Sequence, residues 1–393
     1  MKEIETEVAI IGSGLVGLVA AHCLSLLKYN VVIVDKKNLN DFKNYRKDIR
    51  TVAVSEGSKQ FLDTLSLWNG IKKNAEPIKT IKVFDRDPSN KILFENLNKD
   101  KKLGYVIENF TFSKFLIGKL KKKKNVKIFY NSELYKIETK LTYSKIYLNN
   151  KIIKSKLIIA ADGKNSAVRK IVGNKIFKKN YPESALVLNF LHEKNLKNTA
   201  YEIFYKTGPL AILPMKSNKN FFQSSIIWSN KDLYVKKLIN CDNKFIINII
   251  NEKIDQIVGN IIKINSKQAF PLSAHINDNF INNRLVYIGD SAHSIHPIAG
   301  QGWNLGIKDV KNLNLLCKKF YSQKDEIGNF TFCQKYNSLS YKNAFQLYQI
   351  TDKLNAHFKR KEKFYRILSN TGFDFIENNQ SLKNKITEYA MGF

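Results

Sequence analysis

The sequence predicts an α/β fold, α+β overall, in which a parallel-sheet unit is interrupted by a mostly antiparallel sheet and followed by a helical C-terminal region. Three observations predict it. A β-branched run, a glycine turn, a helical pattern and a second β-branched run succeed one another before residue 36. Buried-strand character returns at Leu157–Ala161 and Leu285–Ile288, on either side of an aromatic-rich, alternating stretch. Beyond about 303 the apolar spacing is helical.

The first element is the run Glu7–Ile11, followed at once by Gly12, Ser13, Gly14, Leu15, Val16 and Gly17 and by helical spacing through Leu27. Val31–Val34 is the second strand, closed by Asp35 and Lys36. Helices are expected near 56–67 and 111–121, with β-like runs near 79–86 and short strands over 126–153. From about 182 to 270 the runs Ala185–Leu191, Tyr201–Tyr205, Leu210–Met215 and Phe221–Trp228 read as an antiparallel sheet, with amphipathic helices after 231 covering one face. The expected division is therefore discontinuous. Residues 1–75, 103–178 and 270–335 form a Rossmann-like unit, 76–102 and 179–269 a substrate-side unit, and 336–393 a helical C-terminal segment.

At 393 residues the chain exceeds what one core usually accommodates. Its 65 Lys and Arg against 34 Asp and Glu give a formal charge of +31. Lys supplies most of that charge and is mingled with Asn, Ile, Phe and Tyr, without an Arg-rich stripe, so no nucleic-acid partner is expected. A solvated Lys-rich surface is the favoured reading of this charge, with attraction to an acidic lipid leaflet the alternative. Cys23, Cys241, Cys317 and Cys333 have no CxxC spacing, which points to a reducing compartment with neither a zinc site nor a disulfide framework. The first residues do not read as a signal peptide, and no run is long and apolar enough to span a bilayer. The expectation is a cytoplasmic protein whose membrane contact, on the inner face, is peripheral.

Three motifs carry chemistry. In the first, Gly12 permits a tight turn, Gly14 lets the backbone approach a pyrophosphate, and Gly17 lets the helix pack closely, while the helix N-terminus faces the phosphates. Asp35 is placed to accept hydrogen bonds from ribose hydroxyls. In the second, Asp162 and Gly163 end a buried strand and Ser166 and Arg169 open a helix; a turn with an N-cap and a dinucleotide-lining site are equally good readings. In the third, Gly289 and Asp290 end a strand, and Pro297 through Gly302 form a compact loop opening a helix that includes Asn304. Asp290 is placed to accept from a ribityl hydroxyl, and the loop N–H groups to stabilise negative charge on a reduced flavin ring. His293 and His296 lack further metal-type ligands nearby, so no metal is expected.

Together, the run His296–Asp309, the glycine turn, the Asp162–Arg169 segment and Asp290 resemble the signature set of the ubiquinone-biosynthesis FAD-dependent hydroxylases, within the p-hydroxybenzoate-hydroxylase-like flavoprotein monooxygenases. Arg50 resembles the family arginine near the flavin. Gly104–Asn109, Thr351–Leu354 and Ala390–Gly392 also look like the family, while Asp35 and Ser291 depart from its usual Glu and Ala. The resemblance implies FAD as cofactor, held by Gly12 through Gly17, Asp35, Lys36, Arg50, Asp162, Gly289, Asp290, Pro297, Gly300, Gln301, Gly302 and Asn304. The Pro297, Gly300, Gln301 and Gly302 loop would line the reaction centre. It further implies NAD(P)H as reductant, O2, a flavin C4a-hydroperoxide, a polyprenyl-phenol substrate and association with other ubiquinone-pathway proteins.

The catalytic base is not legible; Tyr201, Tyr205 and His293 qualify only by type. Leu188, Phe190, Phe204, Leu213 and Phe222 are candidates for the wall of a dry pocket. Phe364, Ile367, Leu368, Phe373 and Phe375 could face a membrane or pack on the body. A flavin-dependent isoprenoid reductase, a hydroxylase of a soluble phenolic acid and a basic nucleic-acid-binding protein are the alternative readings.

Overall fold

The computed structural model describes residues 2–38, 48–85, 87–96, 101–218, 221–360 and 363–392. In chain order its elements are β1 (Lys2–Ile11), α1 (Leu15–Leu26), β2 (Val31–Val34), β3 (Thr51–Ser55), α2 (Glu56–Thr64), α3 (Trp68–Ile71), β4 (Glu76–Ile78), β5 (Thr80–Asp85), β6 (Asp87–Glu95), β7 (Gly104–Glu108) and α4 (Asn109–Leu120). There follow β8 (Val126–Phe129), β9 (Leu134–Thr139), β10 (Ser144–Leu148), β11 (Lys151–Ala160), α5 (Ala167–Val172), β12 (Ile176–His192), β13 (Thr199–Tyr205), β14 (Gly208–Asn218) and β15 (Phe221–Lys231). The chain continues with α6 (Asp232–Leu238), α7 (Asn243–Val258), β16 (Ile261–Asn277), β17 (Ile281–Asn282), β18 (Leu285–Tyr287) and β19 (His293–Ser294), and ends in α8 (Gly302–Ser322), α9 (Phe330–Phe358), α10 (Lys363–Asn378) and α11 (Gln380–Met391).

The first sheet runs β17-β18-β11-β1-β2-β8, with β18, β11, β1, β2 and β8 mutually parallel. Its central strands are apolar on both faces, and all four residues of β2 are buried, because α1 and α4 cover one side and α8 packs on α1. Leu285–Tyr287 pairs with Ile158–Ala160 although more than a hundred residues separate them, so the chain returns to this sheet after an excursion.

The excursion is a second sheet, β19-β16-β12-β15-β14-β13-β5-β6, antiparallel except where β13 runs beside β5. β12 and β16, each 17 residues long, are its spine and extend back toward the first sheet. Alternation gives this sheet two distinct faces. Leu186, Leu188, Phe190, Ile203, Leu210, Ile226 and Trp228 pack beneath Val235 of α6 and Ile246, Ile250 and Ile254 of α7. The opposite face looks toward the loop at 297–302 and the C-terminal helices. A small sheet, β3-β7-β4, closes the side between them.

Phe373 of α10 is buried in one apolar cluster with Phe358 of α9 and Phe204 of β13, so this helix packs on the body, while Phe375 is exposed. The side chains of Phe364, Ile367 and Leu368 lie outside the described residues. Among the described residues no helix is long and apolar enough to cross a membrane.

Candidate active site

The glycine turn is shaped by a close approach. Gly12 has φ +107°, and a Cβ there would lie 2.3 Å from the Ala161 carbonyl oxygen, so the turn presses against the end of β11 where Asp162 stands. The Ser13 N–H donates to Asp35 Oδ2 at 2.7 Å and its hydroxyl donates to the same oxygen, while Asp35 Oδ1 accepts from the Lys37 N–H at 2.9 Å. Asp35 thus buttresses the turn; Lys36 is exposed. No side chain caps the first turn of α1, Gly14 is exposed, and a Cβ on it would meet nothing within 4 Å. The first N–H groups of this helix therefore face open space with the positive end of its dipole.

The third motif is pressed onto the first. A Cβ on Gly306 would lie 2.8 Å from Val16 Cγ2, and one on Gly289, whose φ is +57°, would lie 3.3 Å from the same side chain. Asp309 on α8 accepts from the Gly289 N–H at 2.9 Å and pairs with His293 Nε2 at 2.7 Å, both on Oδ2. The second motif is tied in by Arg169. Its guanidinium donates to the Ser291 and Lys164 carbonyls at 3.1 and 2.7 Å and lies 3.0 Å from His275 Nε2. Burial, reinforced by the Arg169 charge, lowers the His275 pKa to about 3, so its neutral ring is the acceptor in this contact. Ser166 caps α5 by accepting from the Arg169 N–H, as the turn and N-cap reading of this segment expects.

Asp290 stands at the junction with an accessible side chain that makes no hydrogen bond or ion pair among the described residues. The protein around this recess pushes its carboxyl above the usual range, opposed by the charges of His293, Arg50 and Lys164. Asp162 accepts from the Val168 N–H at 3.1 Å through Oδ2, while its Oδ1 is buried without a partner, and burial raises its pKa as well. Arg50 forms a two-pronged pair with Asp48 at 2.8 Å for each prong, and its guanidinium lies 5.4 Å from the centre of the Phe270 ring.

Pro297 leads into a 3-10 turn, Ile298–Gly300, and then into α8, whose first turn again lacks a side-chain cap. Gly300 has φ +61°, and a Cβ on it would sit 3.2 Å from the Ala53 Cβ. Gln301 donates from Nε2 to the Ala390 carbonyl at 3.2 Å. Asn304 spends its amide within the protein. Its Oδ1 accepts from the Ser55 N–H and the Ser58 hydroxyl, each at 2.9 Å, and its Nδ2 donates to the Ala53 carbonyl at 2.8 Å. It therefore positions the loop against β3 instead of offering free polar atoms to a ligand. His296, buried behind the loop, lies 3.9 Å from Glu183, which is paired with Lys359.

The pocket wall is corrected by strand parity. Phe204 and Leu213 lie on the face toward the loop; Leu188, Phe190 and Phe222 lie on the other face, the first two in the core under α6 and α7 and Phe222 against His192. Tyr201 and Tyr205 also join the core under α6 and α7, with the Tyr205 hydroxyl donating to the Lys253 carbonyl, and His293 is occupied by Asp309. None of these three bases faces the recess. On the recess face, Asn189 and Ser225 are adjacent in register, and Asn189 Oδ1 and Ser225 Oγ are both buried without a partner. Asn189 also donates to the Ile49 carbonyl at 2.8 Å, next to Arg50. Sequence reasoning missed both; Asp352, within the family-like run Thr351–Leu354, accepts from the Tyr181 hydroxyl at 2.8 Å and from Lys179 at 2.9 Å to fasten α9 to β12.

Two uncapped helix starts, a free recessed carboxylate and orphaned polar atoms on the facing sheet fit a long, phosphate-bearing cofactor with a ring system at one end. Comparison with known proteins agrees with that fit. A family model described as FAD binding domain matches residues 5–326. The chain is 25% identical over 390 residues to ubiquinone hydroxylase UbiL of Rhodospirillum rubrum, covering 98% of this chain and 89% of that protein. It is 25% identical over 390 residues to 3-demethoxyubiquinol 3-hydroxylase of Escherichia coli, covering 98% of each. Among solved structures, p-nitrophenol 4-monooxygenase PnpA from Pseudomonas putida superposes with a TM-score of 0.79 over 100% of this chain and 99% of that one, at 17% identity.

Proposed function

Because the chain belongs to the FAD-binding-domain family, we propose that it is an FAD-dependent monooxygenase that hydroxylates the aromatic ring of a polyprenyl-phenol intermediate in ubiquinone biosynthesis, using O2 and NAD(P)H. One observation carries this reading: the glycine turn, Asp290 and the Pro297–Gly302 loop, distant in sequence, are locked together through Val16, Gly289 and Gly306 beside a sheet face that carries Phe204 and Leu213. The near full-length likeness to two proteins named as ubiquinone-pathway hydroxylases supports the substrate class.

In this reading the N–H groups of Gly14 through Gly17 hold the pyrophosphate, Asp35 the ribose, and Asp290 the ribityl chain, with Lys36, Arg50 and Asp162 nearby. The loop from Pro297 to Gly302 turns its backbone toward the ring system, and Asn304 fixes the loop. FAD, when bound, supplies the activation of oxygen. The protein's own part is to orient the phenol against the sheet face and to keep water out, which Phe204, Ile298 and Phe358 do by packing as one apolar cluster. The two units divide as 1–75, 103–178 and 270–335 for the cofactor and 76–102 and 179–269 for the substrate. The charge of +31 and the exposed Phe375 support a peripheral contact with an acidic membrane surface, from which a lipid-tailed phenol would be drawn.

The experiment is to identify the cofactor released from the purified protein and then to follow oxygen uptake with NADPH. FAD release and uptake stimulated by a prenylated phenol are the expected results. FAD with reductant consumption that needs no oxygen would favour an isoprenoid reductase, and stimulation only by a soluble phenolic acid would favour a catabolic hydroxylase.

A further inference from the structure

β13 places an acid in a register row of the sheet that is otherwise apolar on the recess face. Along this strand Ile203 is buried in the core under α6 and α7, with Tyr201 and Tyr205 packed against it. Ala200, Glu202 and Phe204 alternate with them and point the other way. Ala200 joins a cluster with Val106 of β7, Met215 of β14 and Met391 of α11. Phe204 stacks on Phe358 with ring centres 3.9 Å apart and shares its cluster with Ile298 of the 297–302 loop. Glu202 sits between these two clusters.

Its neighbours in register are Val83 on β5 and Ala211 on β14, and the same row continues to Ile92 on one side and to Ile227 and Val187 on the other. No hydrogen bond or ion pair reaches the Glu202 carboxyl group among the described residues. Burial alone pushes its pKa up to about 8. The side chain is nevertheless partly accessible. A carboxyl group kept in apolar surroundings without a partner is costly to the fold, and such groups are retained where a ligand completes them.

We propose that Glu202 receives the aromatic hydroxyl of the substrate, its carboxyl group hydrogen-bonding the ring oxygen from the sheet side of the recess. The proposal rests on reading the recess as the site of a phenolic substrate, and it names the residue that distinguishes a phenol from its ether. The alternating apolar row accommodates the ring and the beginning of its tail, and the hydroxyl is the polar group that the lone carboxyl can match. A phenol hydroxyl can both accept from and donate to the carboxyl group, whereas its methyl ether can only accept and leaves the carboxyl acceptor oxygen unpaired, so the pocket disfavours the ether.

The test uses the FAD-loaded protein and two probes, 2-geranylphenol and its methyl ether, with binding read from perturbation of the flavin absorbance. Wild-type protein is expected to favour the phenol by about tenfold or more. Glu202→Leu, which keeps the bulk and removes the polar group, is expected to lose that preference with FAD content unchanged. Glu202→Gln, which retains an acceptor, is expected to keep part of it. A preference that survives in Glu202→Leu, or wild-type protein that binds phenol and ether alike, overturns the assignment of Glu202 while leaving the recess as the aromatic site. Wild-type holoprotein that responds to neither probe overturns the reading of the recess, and the assignment with it.

Discussion

His293 Nε2 lies 2.7 Å from Asp309 Oδ2 with both side chains almost wholly buried, and that same oxygen accepts from the N–H of Gly289. One carboxylate therefore fixes the strand end that carries Asp290 to the helix that follows the Pro297–Gly302 loop. Asp309→Ala leaves a buried imidazole and a buried N–H without an acceptor. The expected loss is about 3 kcal/mol in a urea unfolding curve, accompanied by faster release of FAD. Asp309→Asn, which preserves one acceptor, is expected to lose roughly half as much.

Gly12 and Gly14 are separated by one residue and predict opposite phenotypes. Gly12→Ala forces a Cβ to 2.3 Å from the Ala161 carbonyl at a left-handed φ, which is expected to cost on the order of 3 kcal/mol. Gly14→Val adds atoms only to open space at an ordinary backbone conformation. Its apoprotein is expected to unfold within about 0.5 kcal/mol of wild type, while FAD affinity falls at least tenfold because the new side chain stands where phosphate would approach. Calorimetry of apoprotein and FAD titration separate the two effects.

Asn304 connects four groups across β3, α2 and the loop. Asn304→Ala removes them together, with an expected loss of about 2 kcal/mol. Asn304→Asp retains the acceptor side and is expected to recover part of that loss. Proteolysis of the apoprotein near residues 297–302 is expected to accelerate in the Ala variant.

His275 sets a pH dependence. Its pKa falls from 6.5 unfolded to about 3 folded, so below pH 6.5 the unfolded chain takes up a proton that the native state refuses. Native stability is then lost progressively from pH 6.5 toward pH 3, by about 2 kcal/mol at pH 5 from this group alone. His22, His192 and His296, also lowered chiefly by burial, add in the same direction. Denaturation at pH 7 and pH 5 is expected to show a smaller difference in His275→Gln than in wild type.

The parallel core was legible because its signals are local: β2 is β-branched throughout, and the glycine turn sits between strand and helix in sequence as in space. The second sheet was legible as strands but not as faces. Leu188, Phe190 and Phe222 looked like pocket wall because both faces of this sheet are covered by protein, which removes the polar alternation that would reveal orientation. For the same reason Tyr201 and Tyr205 could be weighed as bases by type alone. Asn304 was read as a cofactor contact from its motif, whereas its amide is consumed by Ala53, Ser55 and Ser58, partners about 250 positions away that no local pattern indicates. Glu202 carried a signal, an acid within an aromatic strand; which way it pointed required the register of β13 with β5 and β14.

The most direct measurement is isotopic: incubate the FAD-loaded protein with NADPH, a short-chain prenylated phenol and 18O2, and analyse the product by mass spectrometry. A ring-hydroxylated phenol carrying one 18O atom is the predicted result. Recovery of the consumed oxygen as hydrogen peroxide with the phenol unchanged, or a hydroxylated product whose oxygen comes from water, would contradict the assignment as an aromatic-ring monooxygenase.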